Sequence, residues 1–290
     1  MSLIPTLGDH SRVLNGRRIA YACGGDGPPV LLLHGFPQTR AMWRGVAPAL
    51  ARHFTVVAPD LRGYGDSDKP GEMADMSFRN MAADPAALMT ALGHDRFHLV
   101  GHDRGARTAH RLALDMPDRV ASLTVMDIVP THLLLDRLTQ RVARDYYHWF
   151  FLAQPAPFPE TLIGHDPDLF FERCLLGWGK ADLSQFHPQA LTHYRTSWRQ
   201  PAAIRAMCND YRAALEIDFH DDAADLDRRI TCPALVLFGA EGVMAAAYDV
   251  GATWADRLAD YEWAALPGGH FFPDQSPSKT AEALIRFLKR

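Results

Sequence analysis

Phe97-His98-Leu99-Val100-Gly101-His102-Asp103-Arg104-Gly105 is the stretch that decides how this chain is read. The run Phe97–Val100 predicts a buried strand, and the frame Gly101-x-Asp103-x-Gly105 follows it directly. Those glycines have the spacing of the G-x-S-x-G nucleophile elbow, a sharp strand-to-helix turn that presents one side chain to a reaction site. Aspartate stands where that motif has serine. A serine must lose its proton before it attacks. A carboxylate is already ionised, and it displaces a leaving group from saturated carbon to give an alkyl ester. Aspartate before a helix is also a common N-cap; the glycine frame and the strand before it favour the nucleophile. Arg104 and Arg107 lie three apart on the first helical turn, so their side chains converge. Guanidinium forks bind carboxylate at two points, and the helix start adds partial positive charge there. The pair points to an anionic substrate, while Arg111 further along reads as solvated.

The rest of the composition is ordinary. Of 290 residues, 48% are hydrophobic and 22% charged, the profile of a globular protein with a substantial core. A net charge of -4 gives no global attraction to nucleic acid or acidic membranes, so neither is expected as a partner. Cys23, Cys174, Cys208 and Cys232 form no C-x-x-C pair and read as small core residues of a reducing compartment. No basic stretch with an apolar run opens the chain, and no run nears the roughly 18 apolar residues of a membrane span. A cytoplasmic protein is expected.

Val30–Leu33, Phe54–Ala58, Phe97–Val100, Ser122–Met126 and Ala234–Phe238 read as buried strands. Helical patterns at Asn80–Leu92 and Gly105–Met116 lie between them. Continuous apolar strands alternating with helices predict an α/β fold with a mostly parallel sheet. The rhythm breaks after Asp127. From Pro130 to about Asp222 the chain is helical and aromatic, with an i+4 stripe at Leu134, Leu138, Val142 and Tyr146. Asp166-Pro167 reads as an N-cap and N1 pair. Pro201 starts a helix with Ile204, Met207, Cys208, Tyr211 and Leu215 on one face. The expected organisation is a core over residues 1–129 and 223–290, with a helical cap over 130–222 inserted after the strand that ends at Asp127.

Two further segments complete a constellation. His34-Gly35-Phe36-Pro37-Gln38 follows the first strong strand, where the backbone N–H of Phe36, with that of Arg104, fits an oxyanion hole. His270, in Gly268-Gly269-His270-Phe271, suits a general base because a neutral imidazole activates water near neutral pH. Asp127, at a strand end, would orient that imidazole, and Glu241 after the later strand is its rival. The loop Asp60-Leu61-Arg62-Gly63-Tyr64-Gly65-Asp66 reads as structural.

With Met126-Asp127-Ile128, Tyr147-His148-Trp149 and Asp210-Tyr211-Arg212 added, the chain resembles the capped α/β-hydrolases of the haloacid type, and fluoroacetate dehalogenases in particular. The order nucleophile, acid, histidine is theirs. The resemblance implies that Asp103, Asp127 and His270 are catalytic, with Asp127 preferred over Glu241. It implies that Arg104 and Arg107 hold the carboxylate of a small haloacid, that His148, Trp149 and Tyr211 surround the leaving halide, and that Trp178 walls the pocket. It further implies hydrolysis of haloacetates to glycolate and halide, without metal or organic cofactor, by a homodimer. Epoxide hydrolysis with the same triad is the alternative: Tyr146, Tyr147 and Tyr211 would serve it, and the two arginines argue against it. A receptor without turnover is the remaining reading.

Overall fold

The computed structural model describes residues 2–177 and 181–290. Eight strands form one sheet: β1 (Gly8–Leu14), β2 (Arg17–Gly24), β3 (Pro29–Leu33), β4 (Thr55–Pro59), β5 (Phe97–His102), β6 (Val120–Met126), β7 (Ala234–Gly239) and β8 (Tyr261–Leu266). Their order is β1-β2-β4-β3-β5-β6-β7-β8. The first hairpin pairs antiparallel, and everything from β4 to β8 is parallel. The five strands read from apolar runs are all present, and β3 to β7 are buried because helices cover both faces. The hairpin β1–β2 and the edge strand β8 lie outside those runs. Residues of β1 are exposed almost throughout, so it has no apolar pattern to read.

Parallel strands leave their carboxyl ends together at one edge, and the chain leaves β3 toward neighbours on both sides. Ligands of open α/β sheets bind at such a point. Phe36 follows β3, Asp103 follows β5, Asp127 follows β6 and His270 follows β8, so all four come to that edge.

The helix read at Asn80–Leu92 runs Phe78–Ala91, because Ser77 caps it by accepting from the Asn80 N–H. The helix after the elbow runs Arg104–Asp115, and every residue from Arg104 to Leu114 is buried. Arg111 is therefore not a solvated residue; it is 4% exposed and ion-paired with Asp115 and Asp225.

Between β6 and β7 the described residues form helices and turns with no strand, from Thr131 to Ala224. The stripe from Leu134 to Tyr146 is divided between two short helices, Thr131–Asp136 and Gln140–Asp145. Thr139 caps the second, and Leu138 falls in the break, 40% exposed. Local capping here prevails over the i+4 pattern. Asp166 caps Pro167–Leu175 by accepting from the Leu169 N–H, and Pro201 opens Pro201–Ala213 at its first turn. Leu215 lies past that helix, in a π-helical turn over Ala214–Asp218.

In the loop after β4, Asp60 and Asp66 both pair with Arg40. They and His193 are the one group with metal-ligand spacing among the described residues, and a guanidinium already bridges the two acids. No helix among the described residues is long and apolar enough to cross a membrane.

Candidate active site

The elbow needs glycine on both sides. A Cβ on Gly105 would sit 2.4 Å from the His34 carbonyl oxygen and 2.5 Å from that of Leu33. A Cβ on Gly101 would sit 2.4 Å from the Gly105 oxygen. The turn is tight enough to hold Asp103 at φ 48°, a region that non-glycine residues rarely occupy. Asp127 is also there, at φ 52°. Two such residues at the ends of neighbouring strands mark a site where the fold sustains local strain.

The Phe36 N–H donates to Asp103 Oδ1 at 2.8 Å. The N–H of Arg104 opens the helix, where no intrahelical acceptor exists. Asp103 Oδ2 faces His270 Nε2 at 3.7 Å, beyond hydrogen-bond length. His270 Nδ1 lies 2.6 Å from Asp127 Oδ2. An ionised carboxylate only accepts, so Nδ1 carries the proton and Nε2 keeps its lone pair facing Asp103. The other oxygen of Asp127 accepts from the Gly239 N–H at 2.9 Å. Glu241 is exposed and makes neither contact.

Electrostatics separates the three groups. Burial disfavours charge on Asp103, but His270, His102 and Arg104 outweigh it and hold its pKa at about 2. Burial also disfavours charge on His270, yet the hydrogen bond and charge of Asp127, then the charge of Asp103, raise it above its ordinary value. His148 is pushed down to about 3, chiefly by burial, so its imidazole is neutral.

The aromatic residues gather round Phe36. His148 stacks on its ring at 5.8 Å, and Tyr211 meets it edge-on at 5.0 Å. Tyr211 also meets His148 and Trp149 edge-on, at 5.7 and 5.5 Å. Phe36, Asp103, Tyr146, His148, Cys174, Tyr211, His270 and Phe271 line a cavity, of which about 20 Å³ admits the centre of a water-sized sphere. That is little more than one water needs, so an occupant has only a few atoms.

Three expected residues stand differently from the sequence reading. Arg104 and Arg107 are not equivalent. The Arg104 guanidinium is fully buried and ion-paired with Asp210, its Nε 3.0 Å from Oδ1, and that charge keeps it protonated. Its Nη1 has no hydrogen-bond partner among the described residues. Arg107 donates from Nη1 to the Val129 carbonyl and the Thr131 hydroxyl and pairs with no carboxylate among the described residues. Burial, then Arg104, lowers its pKa to about 10. Neither guanidinium lines the cavity at Asp103; both lie over the Trp149 ring, at 5.2 and 4.8 Å. Trp149 itself is wedged there and is not on the lining either. Trp178 lies outside the described residues.

Sequence reasoning missed Asp210, although it precedes Tyr211. It faces away from the cavity to Arg104 and Tyr64, whose hydroxyl donates to its Oδ2 at 2.6 Å. It missed His102, whose Nε2 donates to the His270 carbonyl at 2.7 Å and so fixes the histidine loop. Cys174, read as plain core, lines the cavity, and burial raises its thiol pKa.

The Arg104–Asp210 pair ties the elbow helix to the cap with both side chains fully buried. Removing one partner leaves an uncompensated buried charge, a loss of about 3–5 kcal/mol. Asp210→Asn is expected to lower the unfolding free energy, measured by urea titration, by that amount. A change under about 1 kcal/mol would mean that the pair is dispensable to the fold.

Comparison with known proteins gives a consistent picture. The family model described as the alpha/beta hydrolase fold matches residues 28–277. A protein named fluoroacetate dehalogenase, from Burkholderia sp., is 54% identical over 91% of this chain and 88% of its own length. A soluble epoxide hydrolase from Corynebacterium sp. (strain C12) is 33% identical over 96% of each chain. A crystal structure of a candidate α/β hydrolase from Nostoc sp PCC 7120 superposes with a TM-score of 0.95 at 48% identity, covering 97% of this chain and 98% of that one.

Proposed function

Because this chain belongs to the α/β-hydrolase fold family, we propose that it hydrolyses the carbon–halogen bond of haloacetates through an ester on Asp103. The observation that carries this reading is the state of Asp103. It is an ionised carboxylate on an elbow, with Oδ1 held by the Phe36 N–H and Oδ2 left facing His270. The relative named fluoroacetate dehalogenase supports it.

In the first step Oδ2 attacks the halogen-bearing carbon from behind. The carbon–halogen bond breaks, halide leaves, and an ester forms. In the second step His270 Nε2 takes a proton from water, whose oxygen adds to the ester carbonyl carbon. Negative charge collects on Oδ1, where Phe36 already donates, joined by the N–H of Arg104. Collapse expels the alkoxide of glycolate, which recovers the proton from His270. Asp127 stabilises the imidazolium between these transfers. Carboxylate and imidazole do all of this chemistry, so the steps call for no metal or organic cofactor.

The substrate carboxylate would reach past the present lining, on which neither guanidinium lies, to the positive charge of Arg107 and the Nη1 N–H of Arg104. Arg107→Lys keeps the charge and loses the fork. A charge-assisted hydrogen bond contributes roughly 1.5–3 kcal/mol, so catalytic efficiency is expected to fall at least about tenfold. Haloacetamide, which lacks the carboxylate, is expected to be a poor substrate. Efficient turnover of haloacetamide would remove the clamp from the account.

His148 and Tyr211 on the cavity wall, with Trp149 behind them, stabilise the leaving halide. Fluoride is strongly basic and depends on donated hydrogen bonds, whereas bromide leaves without help. Tyr211→Phe keeps the packed ring and is expected to slow defluorination more than debromination, with about 2.7–4 kcal/mol as the upper scale of one donor. Equal losses on fluoroacetate and bromoacetate would leave Tyr211 a packing role only.

Residues 130–222 act as the cap over this site. Phe158, Leu162 and Leu169 on consecutive cap helices are each more than half exposed and offer an apolar face for a homodimer. The four cysteines are free, which suits the cytoplasm.

One observation keeps a second reading. Tyr146 and Tyr211 both line the cavity, and an epoxide hydrolase uses two phenols to protonate its alkoxide. Arg107 has no task on a neutral epoxide. Fluoride release from fluoroacetate, measured beside diol formation from small epoxides, decides between them. Diol without fluoride would overturn the proposal.

A further inference from the structure

A second small cavity shares Arg107 with the carboxylate clamp proposed above, and its other lining residues have no part in those steps. It is lined by Arg107, His110, Arg111, Thr131, Asp218 and Asp222, together with Phe78, and about 10 Å³ of it admits the centre of a water-sized sphere. Four of these residues carry a buried polar atom with no protein partner among the described residues: Arg107 Nε, His110 Nε2, Arg111 Nε and Asp218 Oδ2. The four side chains are nearly sealed, at 2%, 5%, 4% and 3% exposure. Buried polar atoms in folded proteins are almost always satisfied, so four orphans around one cavity indicate an occupant.

The placement is built by two elements. Arg107, His110 and Arg111 are spaced i, i+3, i+4 on one face of the elbow helix. Asp218 closes the π-helical turn Ala214–Asp218, and such turns concentrate at functional sites. The charges are unequal. Arg111 already has Asp115 and Asp225. Asp222 is ion-paired with Arg257 and accepts from the His132 N–H. Asp218 Oδ1 accepts from the Phe78 N–H. Arg107 is the lining arginine with no carboxylate partner among the described residues. Burial pushes the pKa of the Asp218 carboxyl well above the usual range, which favours its neutral form over the anion. Trp149 Nε1 and Arg104 Nη1 also lack a hydrogen-bond partner among the described residues.

We propose that this chamber is a second, internal site for a small halide, of fluoride size, that receives the ion released at Asp103 before it reaches solvent. The origin of the halide rests on the function proposed above; the site itself rests on the orphaned polar atoms and on the charge of Arg107, which no carboxylate of the described residues pairs with. A single water would also fill the volume, and that occupant would leave the chamber blind to halide.

Fluoride binding separates these outcomes. Titration of the folded protein with sodium fluoride, followed by fluorine NMR, is expected to show two fluorides per chain. His110→Phe, which fills the chamber, is expected to show one. His110→Leu removes the ring nitrogen without adding bulk, and is expected to weaken the second fluoride at least about tenfold even if His110→Phe does not fold. Tyr211→Phe is expected to weaken the other fluoride and leave this one. One fluoride per chain in the wild type, or two of unchanged affinity in both His110 variants, would overturn the inference. Haloacetate turnover, assayed on the same samples, tests the proposed function by itself: turnover with one fluoride site refutes only the chamber, and two fluoride sites without turnover refute only the reaction.

Discussion

Asp103→Asn is expected to abolish halide release while leaving the fold in place. The amide is a poor nucleophile, and among the described residues no other carboxylate lines the cavity at Asp103. Loss of a covalent nucleophile acts on the order of 10⁴-fold or more in kcat. Folding is spared for a physical reason. Asn has the same shape, its carbonyl oxygen still accepts from the Phe36 N–H, and the substitution removes a buried charge. The check is halide release together with the thermal midpoint. Residual halide release within about tenfold of wild type, from a folded variant, would mean that another group attacks the carbon.

His270→Asn is expected to release one equivalent of halide and then stop as an ester on Asp103. The histidine acts only after halide has gone, so its loss divides the reaction at the intermediate. Mass spectrometry of the whole protein after haloacetate reads the adduct directly. The wild type is expected to imitate this variant in acid. Asp103, held at about 2, remains ionised and still attacks. His270, raised above its ordinary value by Asp127 and Asp103, becomes protonated as pH falls through that raised value and cannot take a proton from water. Steady turnover should therefore fall on the acid side while the ester accumulates, and return when the pH is raised. Turnover that persists in His270→Asn without an adduct would take the base role away from His270.

Much of this was legible in the chain because it depends on local rules. Gly101 and Gly105 are required by backbone contacts at the elbow, and a glycine requirement of that kind is visible in a sequence. The five buried strands announce themselves through continuous apolar runs. Strand β1 does not, because an exposed strand need not be apolar. The stripe from Leu134 to Tyr146 misled because Thr139 caps the start of a second short helix, which breaks the run into two. The charge state of the arginines was not legible at all. Arg104 meets Asp210, 106 residues away in sequence, whereas Arg107 pairs with no acid among the described residues, and nothing local separates two arginines three apart. The chamber at Asp218 was hidden for the same reason. Its groups come from the elbow helix and a π-helical turn, and only folding brings them to one cavity.

The central claim is that oxygen passes from Asp103 to the product. It is tested most directly by one turnover of fluoroacetate in heavy-oxygen water, with enzyme in excess over substrate. The account predicts glycolate whose hydroxyl oxygen is light, and the heavy oxygen retained in the Asp103 carboxylate. Heavy oxygen in the glycolate of that first turnover would show that water attacks the carbon directly, and would contradict the ester mechanism.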